Sequence, residues 1–263
     1  MAAGLTEQEI REGVKRLAPF HHRVELPYNI STYVPEAALR PAVERMRVER
    51  LVNHAFPPLL DAFGGSLAGK RVLDVACNCG GFSVEAARLG SAYVLGIDIV
   101  DRYIEQANFI KRALGLSTVG FERMDIRSLD TDAVGTFDVT FCFGILYHLE
   151  DPVGSMRRIA AVTSDVLLVD TDVLPPPRKN RKAFKKPLWN MNVASATGVD
   201  SKVRTTSLWR AEEPVVQFTP NDAAVEELLR FLGFRRVEKL APGIEGMRRH
   251  KAGKRATFLA RRA

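Results

Sequence analysis

Residues 72–83, VLDVACNCGGFS, join a short apolar run to a glycine pair and then to an amphipathic stretch. That order constrains the chain more than any other feature. Val72, Leu73 and Val75 have the β-branched-rich character of a strand buried on both faces, which belongs in a parallel sheet. Gly80 and Gly81 lack a Cβ, so the backbone there can reach φ > 0 and approach a ligand closely. Phe82 to Leu89 (FSVEAARL) reads as a helix whose N-terminal amides face the turn. Asp98 follows near the end of a second apolar run, YVLGIDI, 24 residues after Asp74. In open α/β folds an acidic residue there accepts hydrogen bonds from the ribose hydroxyls of an adenosine-containing cofactor.

The glycine spacing narrows the cofactor. A dinucleotide site prefers G-x-G-x-x-G, whose turn and helix terminus cradle a pyrophosphate. Here the turn is A-C-N-C-G-G, with Ala76 where the first glycine would stand and Asp74 two residues earlier. Asp74 would repel a pyrophosphate, yet it can pair, directly or through water, with an ammonium group. A ligand with adenosine at one end and a zwitterionic amino acid at the other fits this set, and S-adenosylmethionine is such a ligand. An ordinary strand–turn–helix of another α/β protein is the alternative, because a glycine turn is a weak signal by itself.

Over roughly residues 68–172 the chain resembles the class I S-adenosylmethionine-dependent methyltransferases. LAGKRVLDVACNCGGFS looks like their first motif, YVLGIDI like their acidic second-strand end, FERMDIRSL like the segment beside the adenine, and FDVTFCFGILYHLEDP like the fourth strand and its loop. The resemblance implies cofactor contacts from Asp74, Ala76, Asn78, Gly80, Phe82, Asp98, Ile99, Asp125, Ile126 and Phe143. Ala76 departs from the family's glycine, a change that a backbone contact should tolerate. HHRVELPYNIST and FGILYHLEDP look most like the group of tRNA wobble-uridine methyl- and carboxymethyltransferases, which also includes methyltransferases of small hydroxylated metabolites. The fold so implied is α/β: a doubly wound, mostly parallel, seven-stranded Rossmann-like sheet with an N-terminal helical addition and a lid insertion after strand five.

The periodicity places strands near 71–76, 93–98, 118–123, 138–143 and 166–171, with helices near 81–89, 101–114 and 152–161 between them. Residues 5–18 and 35–65 read as helices, and PFHHRVELPYNIST between them as an extended loop. Thr219 and Pro220 read as the N-cap and first residue of a further helix, with Gly233 as its stop. FRRVEKL and RATFLARR then read as two strands that close the sheet in antiparallel fashion. The expected divisions are a helical cap at 1–66, a cofactor-binding core at 67–173, a substrate lid at 174–216, and a closing helix and strand pair at 217–263. The 174–216 stretch matches no motif, and a segment that long without clear elements is often a lid or binding loop.

Composition excludes some classes. No apolar run approaches the ~20 residues that span a bilayer, and the start, MAAGLTEQEIREGVKR, is charged and helix-like rather than a signal peptide. Cys77, Cys79 and Cys142 have no distant Cys or His partners at zinc spacing, and a Cys77–Cys79 disulfide across one residue would be strained. Reduced thiols and a cytoplasmic location are the reading. The net charge of +7 favours anionic partners. Two basic stretches, RKNRKAFKK (178–186) and RRHKAGKR (248–255), are either solvated loops or a phosphate-binding surface.

Methyl transfer to a hydroxyl needs positioned reactants and a base. His148, in the loop after strand four, is the best base candidate, since neutral imidazole accepts a proton near pH 7. A structural or pocket-lining histidine is its alternative. Asp170 and Asp172 share a strand face. With Glu150 or Asp151 they could hold magnesium, which would orient sugar hydroxyls. Direct hydrogen bonding to substrate and an ordinary strand end are the other readings. His21, His22, Tyr28 and Tyr33 could close over the substrate. The leading expectation is therefore an O-methyltransferase of a small metabolite, a sugar or glycoside first. A tRNA wobble-uridine methyl- or carboxymethyltransferase comes second, and a non-catalytic RNA-binding or scaffold protein third. Oligomeric state stays open.

Overall fold

A computed structural model describes residues 5–33, 47–177, 183–194, 215–243 and 247–263. Its strands are β1 (Glu25–Leu26), β2 (Ile30–Ser31), β3 (Arg71–Val75), β4 (Tyr93–Asp98), β5 (Val119–Arg123), β6 (Phe137–Phe143), β7 (Thr163–Asp172), β8 (Trp189–Ala194), β9 (Val215–Pro220), β10 (Arg236–Lys239) and β11 (Arg255–Arg261). The helices are α1 (Glu7–Leu17), α2 (Arg47–Ala62), α3 (Gly81–Arg88), α4 (Asp101–Leu114), α5 (Thr131–Val134), α6 (Pro152–Val162), α7 (Asp222–Phe231) and α8 (Arg248–Lys251). Seven strands form one sheet in the order β10-β11-β7-β6-β3-β4-β5. β3, β4 and β5 pair in parallel, while β11 runs antiparallel to both β7 and β10. The doubly wound, Rossmann-like expectation is met.

Two compact units make up the chain, Met1–Ser128 with Phe137–Thr140, and Leu129–Thr136 with Phe141–Ala263. In the first, Thr6 caps α1 in a capping box with Glu9. The buried face of α1 (Ile10, Val14, Leu17) joins Phe20, Val24, Leu26, Phe109 and Ile110 in one apolar cluster. Gly13 makes this contact possible, because a Cβ there would lie 2.2 Å from the Phe109 ring. Gln106 of α4 fastens the chain after α1 by donating to the carbonyls of Leu17 and Pro19 at 2.7 and 2.9 Å. The stretch expected as an extended loop carries the short β1–β2 pair, in the register Leu26↔Ile30. Tyr28 stands at its tip with φ 60 and about half its surface exposed. Of the helix expected at 35–65, residues 47–62 are seen and 34–46 lie outside the described residues.

In the second unit the helix start differs from expectation. The chain stays extended through Thr219 and Pro220, because β9 pairs with β8 as far as Trp189↔Pro220. Asn221, fully buried, is the N-cap of α7 and accepts from Ala224 N–H at 2.9 Å. Its carboxamide also donates to the carbonyls of Phe184 and Lys186, which ties the preceding loop to the helix start. Gly233, at φ 92, follows the C-cap Leu232 as the expected stop. Arg178, Lys179, Arg181 and Lys182 of the first basic run, and residues 195–214 of the expected lid, lie outside the described residues.

Candidate active site

Three residues alternate in left-handed conformation between β3 and α3: Ala76 (φ 55), Asn78 (φ 53) and Gly80 (φ 80). Glycine and, less readily, asparagine adopt that conformation at little cost; alanine gives up about 1 kcal/mol or more. The turn is held from β4. Asn78 N–H donates to Asp98 Oδ2 at 2.9 Å, Val100 N–H donates to Asp98 Oδ1 at 3.0 Å, and Cys77 N–H donates to the Ile97 carbonyl at 2.9 Å. Asn78 Oδ1 in turn accepts from Cys79 N–H at 2.8 Å. Burial raises the Asp98 carboxyl above its usual range, opposed by the amides of Val100, Asn78 and Ile99. Asn78 N–H holds one Asp98 oxygen and Val100 N–H the other, and the Ile99 amide acts on the same carboxylate. Tyr103 of α4 faces the same group; burial pushes its phenol up to about 12, and a hydrogen bond with Asn78 opposes the rise. Nothing in the sequence marked Tyr103.

Asp74 lies beneath the turn. It is 1% exposed and accepts from Ser83 Oγ at 2.6 Å. Burial pushes its carboxyl up to about 7 from the usual 3.8, with Ser83 opposing. A carboxyl with a folded pKa above its unfolded value keeps its proton longer in the folded chain. Between about pH 4 and 7 the unfolded chain has released that proton while the folded one retains it, so stability falls with rising pH and the penalty is complete above that window. Asp74→Asn is expected to flatten this slope in urea-unfolding midpoints taken across the window. A wild-type slope in the variant would exclude Asp74 as its source.

His22 proves to be a clamp on the turn. It is buried, its Nδ1 accepts from Gly81 N–H at 3.2 Å, and its backbone N–H donates to Cys79 Sγ at 3.3 Å. Phe82, also buried, meets the His22 ring edge-on at 5.2 Å. A Cβ on Gly81 would come 2.8 Å from that Nδ1, so the second glycine is required by this arm. Ile99, half-buried, follows Asp98, and Asp125 and Ile126, also half-buried, follow β5. Asp125 pairs with Arg127 at 2.6 Å, and that contact holds its carboxyl below the usual range. All three cysteines are free and buried; burial pushes the thiols of Cys79 and Cys142 up to about 12, so they stay protonated.

In the second unit, Phe143 ends β6 buried and stacked on Phe141, with centroids 5.1 Å apart. Gly144 (φ 79) turns the chain, and its N–H donates to the Asp170 carbonyl at 2.7 Å. Leu146–His148 then form a short 3-10 turn. The half-buried His148 lies with its ring 4.2 Å from that of Tyr147 and its Nδ1 3.2 Å from the Gln217 amide nitrogen.

The cation expected at Asp170 and Asp172 is supplied by the chain itself. Arg255 Nε donates to Asp170 Oδ1 at 2.5 Å, and Arg255 Nη1 to Asp172 Oδ1 at 2.9 Å. Thr257 and His250 engage the second Asp170 oxygen at 2.9 and 2.8 Å, and Arg249 the second Asp172 oxygen at 2.8 Å. No group of three His, Cys, Asp or Glu side chains among the described residues could hold a metal ion. The two carboxylates do share a face, as their spacing implied, but guanidinium groups occupy it, and the magnesium expectation is corrected accordingly.

A family model described as a methyltransferase domain matches residues 66–202, 137 of the 263 in the chain. The chain belongs to this methyltransferase family. Among curated relatives, the methyltransferase domain is 34% identical over 113 residues to a ubiquinone biosynthesis O-methyltransferase of Bordetella bronchiseptica, covering 41% of this chain and 46% of that protein. It is 32% identical over 113 residues to a tRNA U34 carboxymethyltransferase of Campylobacter hominis, covering 40% and 39%. The chain thus spans less than half the length of these relatives. Among solved structures, the N-terminal domain of EvdMO1, crystallised in the presence of SAH and D-fucose, superposes with a TM-score of 0.68 at 18% identity, over 99% of both chains. That likeness establishes the fold. No helix among the described residues is long and apolar enough to cross a membrane.

Proposed function

We propose that this methyltransferase domain transfers a methyl group from S-adenosylmethionine to a hydroxyl of a small metabolite, with a sugar or glycoside as the first acceptor class. The observation that carries the reading is Asp98, buried at the carboxyl end of β4 with both oxygens oriented by turn amides. A carboxylate held at that strand end suits a vicinal diol such as the ribose of an adenosine. The left-handed turn at Ala76, Asn78 and Gly80 suits a ligand that approaches the backbone closely. When bound, S-adenosylmethionine supplies an electrophilic methyl group on a sulfonium. The chain then has to orient the acceptor and take up a hydroxyl proton, and His148, at the carboxyl end of its own strand, is the group for that. The ubiquinone O-methyltransferase relative supports oxygen as the acceptor atom, and the EvdMO1 neighbour crystallised with D-fucose supports a sugar.

A second reading, wobble-uridine modification in tRNA, is favoured by the carboxymethyltransferase relative and by Arg248, Lys251 and Lys254, all exposed around α8. Calorimetry separates the two. S-adenosylhomocysteine titrated into the wild type should bind, and Asp98→Ala should lose roughly tenfold or more, the worth of a charged hydrogen bond at about 1.5–3 kcal/mol. Equal affinities would remove Asp98 from the site. With S-adenosylhomocysteine present, heat from a member of a sugar panel supports the first reading. Binding to tRNA that falls steeply with salt would replace it with the second.

A further inference from the structure

We infer that Gln217 is a positioning residue for His148, setting which ring nitrogen carries the proton through the end of its amide that it presents to Nδ1. The functional meaning of this rests on His148 being the base. The Gln217 amide nitrogen lies 3.2 Å from His148 Nδ1, 69 residues away in sequence. An amide nitrogen donates only, so in this arrangement Nδ1 accepts and the neutral ring holds its proton on Nε2. Turning the amide by half a rotation would present Oε1, which accepts only; the proton would then sit on Nδ1, and Nε2 would become basic. Gln217 in this orientation therefore favours the Nε2-protonated ring; with the amide turned, the ring gives its Nε2 proton to water and takes one from water at Nδ1, which leaves Nε2 free to accept.

The backbone of Gln217 is well placed to do this. It lies within β9, in register with Asn192 of β8, so its position is fixed by strand pairing rather than by a free loop. Both side chains are half-buried, which strengthens a neutral hydrogen bond relative to one in open water. The turn carrying His148 packs against β9 and β7. β9 brings no titratable side chain (VVQFTP). From β7, Asp170 and Asp172 are paired with Arg255, whose guanidinium lies 5.7 Å from the Tyr147 ring, and Asp165 is paired with Arg261. A glutamine at Nδ1 thus selects a tautomer without adding a charge.

The test needs no acceptor substrate. Two-bond 1H–15N correlation spectra of the full chain, 15N-labelled, report which nitrogen of each histidine is protonated, and His148→Ala assigns the signals. Wild type is expected to show neutral His148 with its proton on Nε2. In Gln217→Glu, whose carboxylate can only accept, the proton should move to Nδ1 and the titration midpoint rise by about one pH unit. Gln217→Leu should lose the single-tautomer bias while the remaining histidine signals stay in place. Wild type with its proton on Nδ1, or a Gln217→Glu ring unchanged in tautomer and midpoint, would overturn the assignment. The outcome is independent of catalysis: should His148→Ala retain full turnover, the base role fails while the tautomer result stands.

Discussion

His148→Ala is expected to lower kcat by about 10²–10⁴, the usual worth of a positioned general base, while leaving affinity for S-adenosylhomocysteine near the wild-type value. The separation follows from where the groups reside. Asp98 and Asn78 hold the β3–α3 turn, whereas His148 belongs to the turn after β6 and meets Gln217. Loss of the imidazole leaves Tyr147 and Gln217 in place but removes the proposed base. A pH profile sharpens the result. Wild-type activity should fall toward low pH as the imidazole gains its proton, and the alanine variant's residual activity should lack that limb. An unchanged rate at every pH would exclude His148 from the chemistry. A variant that loses cofactor affinity in the same measure would make the histidine structural, since a base contributes to the transition state rather than to the bound cofactor.

The contrast between these groups also explains what could be read in advance. Parallel strands buried on both faces are continuous apolar runs, so β3, β4 and β6 are legible in the sequence, and the expected 93–98 coincides with β4 at both ends. The turn after β3 was legible because Gly80 has no Cβ and Asp98 has a fixed spacing from it. What escaped depends on partners far away in sequence. Thr219 and Asn221 are both competent caps, and the choice between them is made by the β8–β9 pairing, which holds Pro220 opposite Trp189. His22 looked like a loop residue because nothing local shows that its ring accepts from Gly81, 59 residues on. Gln217 adjoins a stretch without periodicity. The carboxylate pair at the end of β7 was recognised as sharing a face, but its occupant lies on β11, where only strand register reveals it: Arg255 stands opposite Asp172, and Thr257 opposite Asp170.

That register makes Arg255→Met the substitution with the largest expected effect on stability. Its side chain is 7% exposed and that of Asp170 1%, so the pair is removed from water. Burial alone would pull the charge off the guanidinium, yet Asp170, Tyr147 and Asp172 outweigh it and hold the group above its ordinary value. Methionine fills similar volume but leaves the Asp170 carboxylate, beside His250 and Thr257, without its guanidinium. Stranding one partner of a buried pair costs about 3–5 kcal/mol, whereas exchanging both for apolar groups is often near neutral. Urea unfolding should therefore show a large loss for Arg255→Met and recovery of most of it in Arg255→Met combined with Asp170→Leu. The single variant tests more than packing. Asp170 accepts from Gly144 N–H through its carbonyl and meets Arg255 through its carboxylate, so one residue links the turn that leads to His148 with β11. If that link orders the turn, the double variant should regain stability but not turnover, because the charge that lay over Tyr147 is gone. A single variant within about 1 kcal/mol of wild type would mean that water or a neighbouring cation replaces the guanidinium, and the buried-pair account of this strand end would fall.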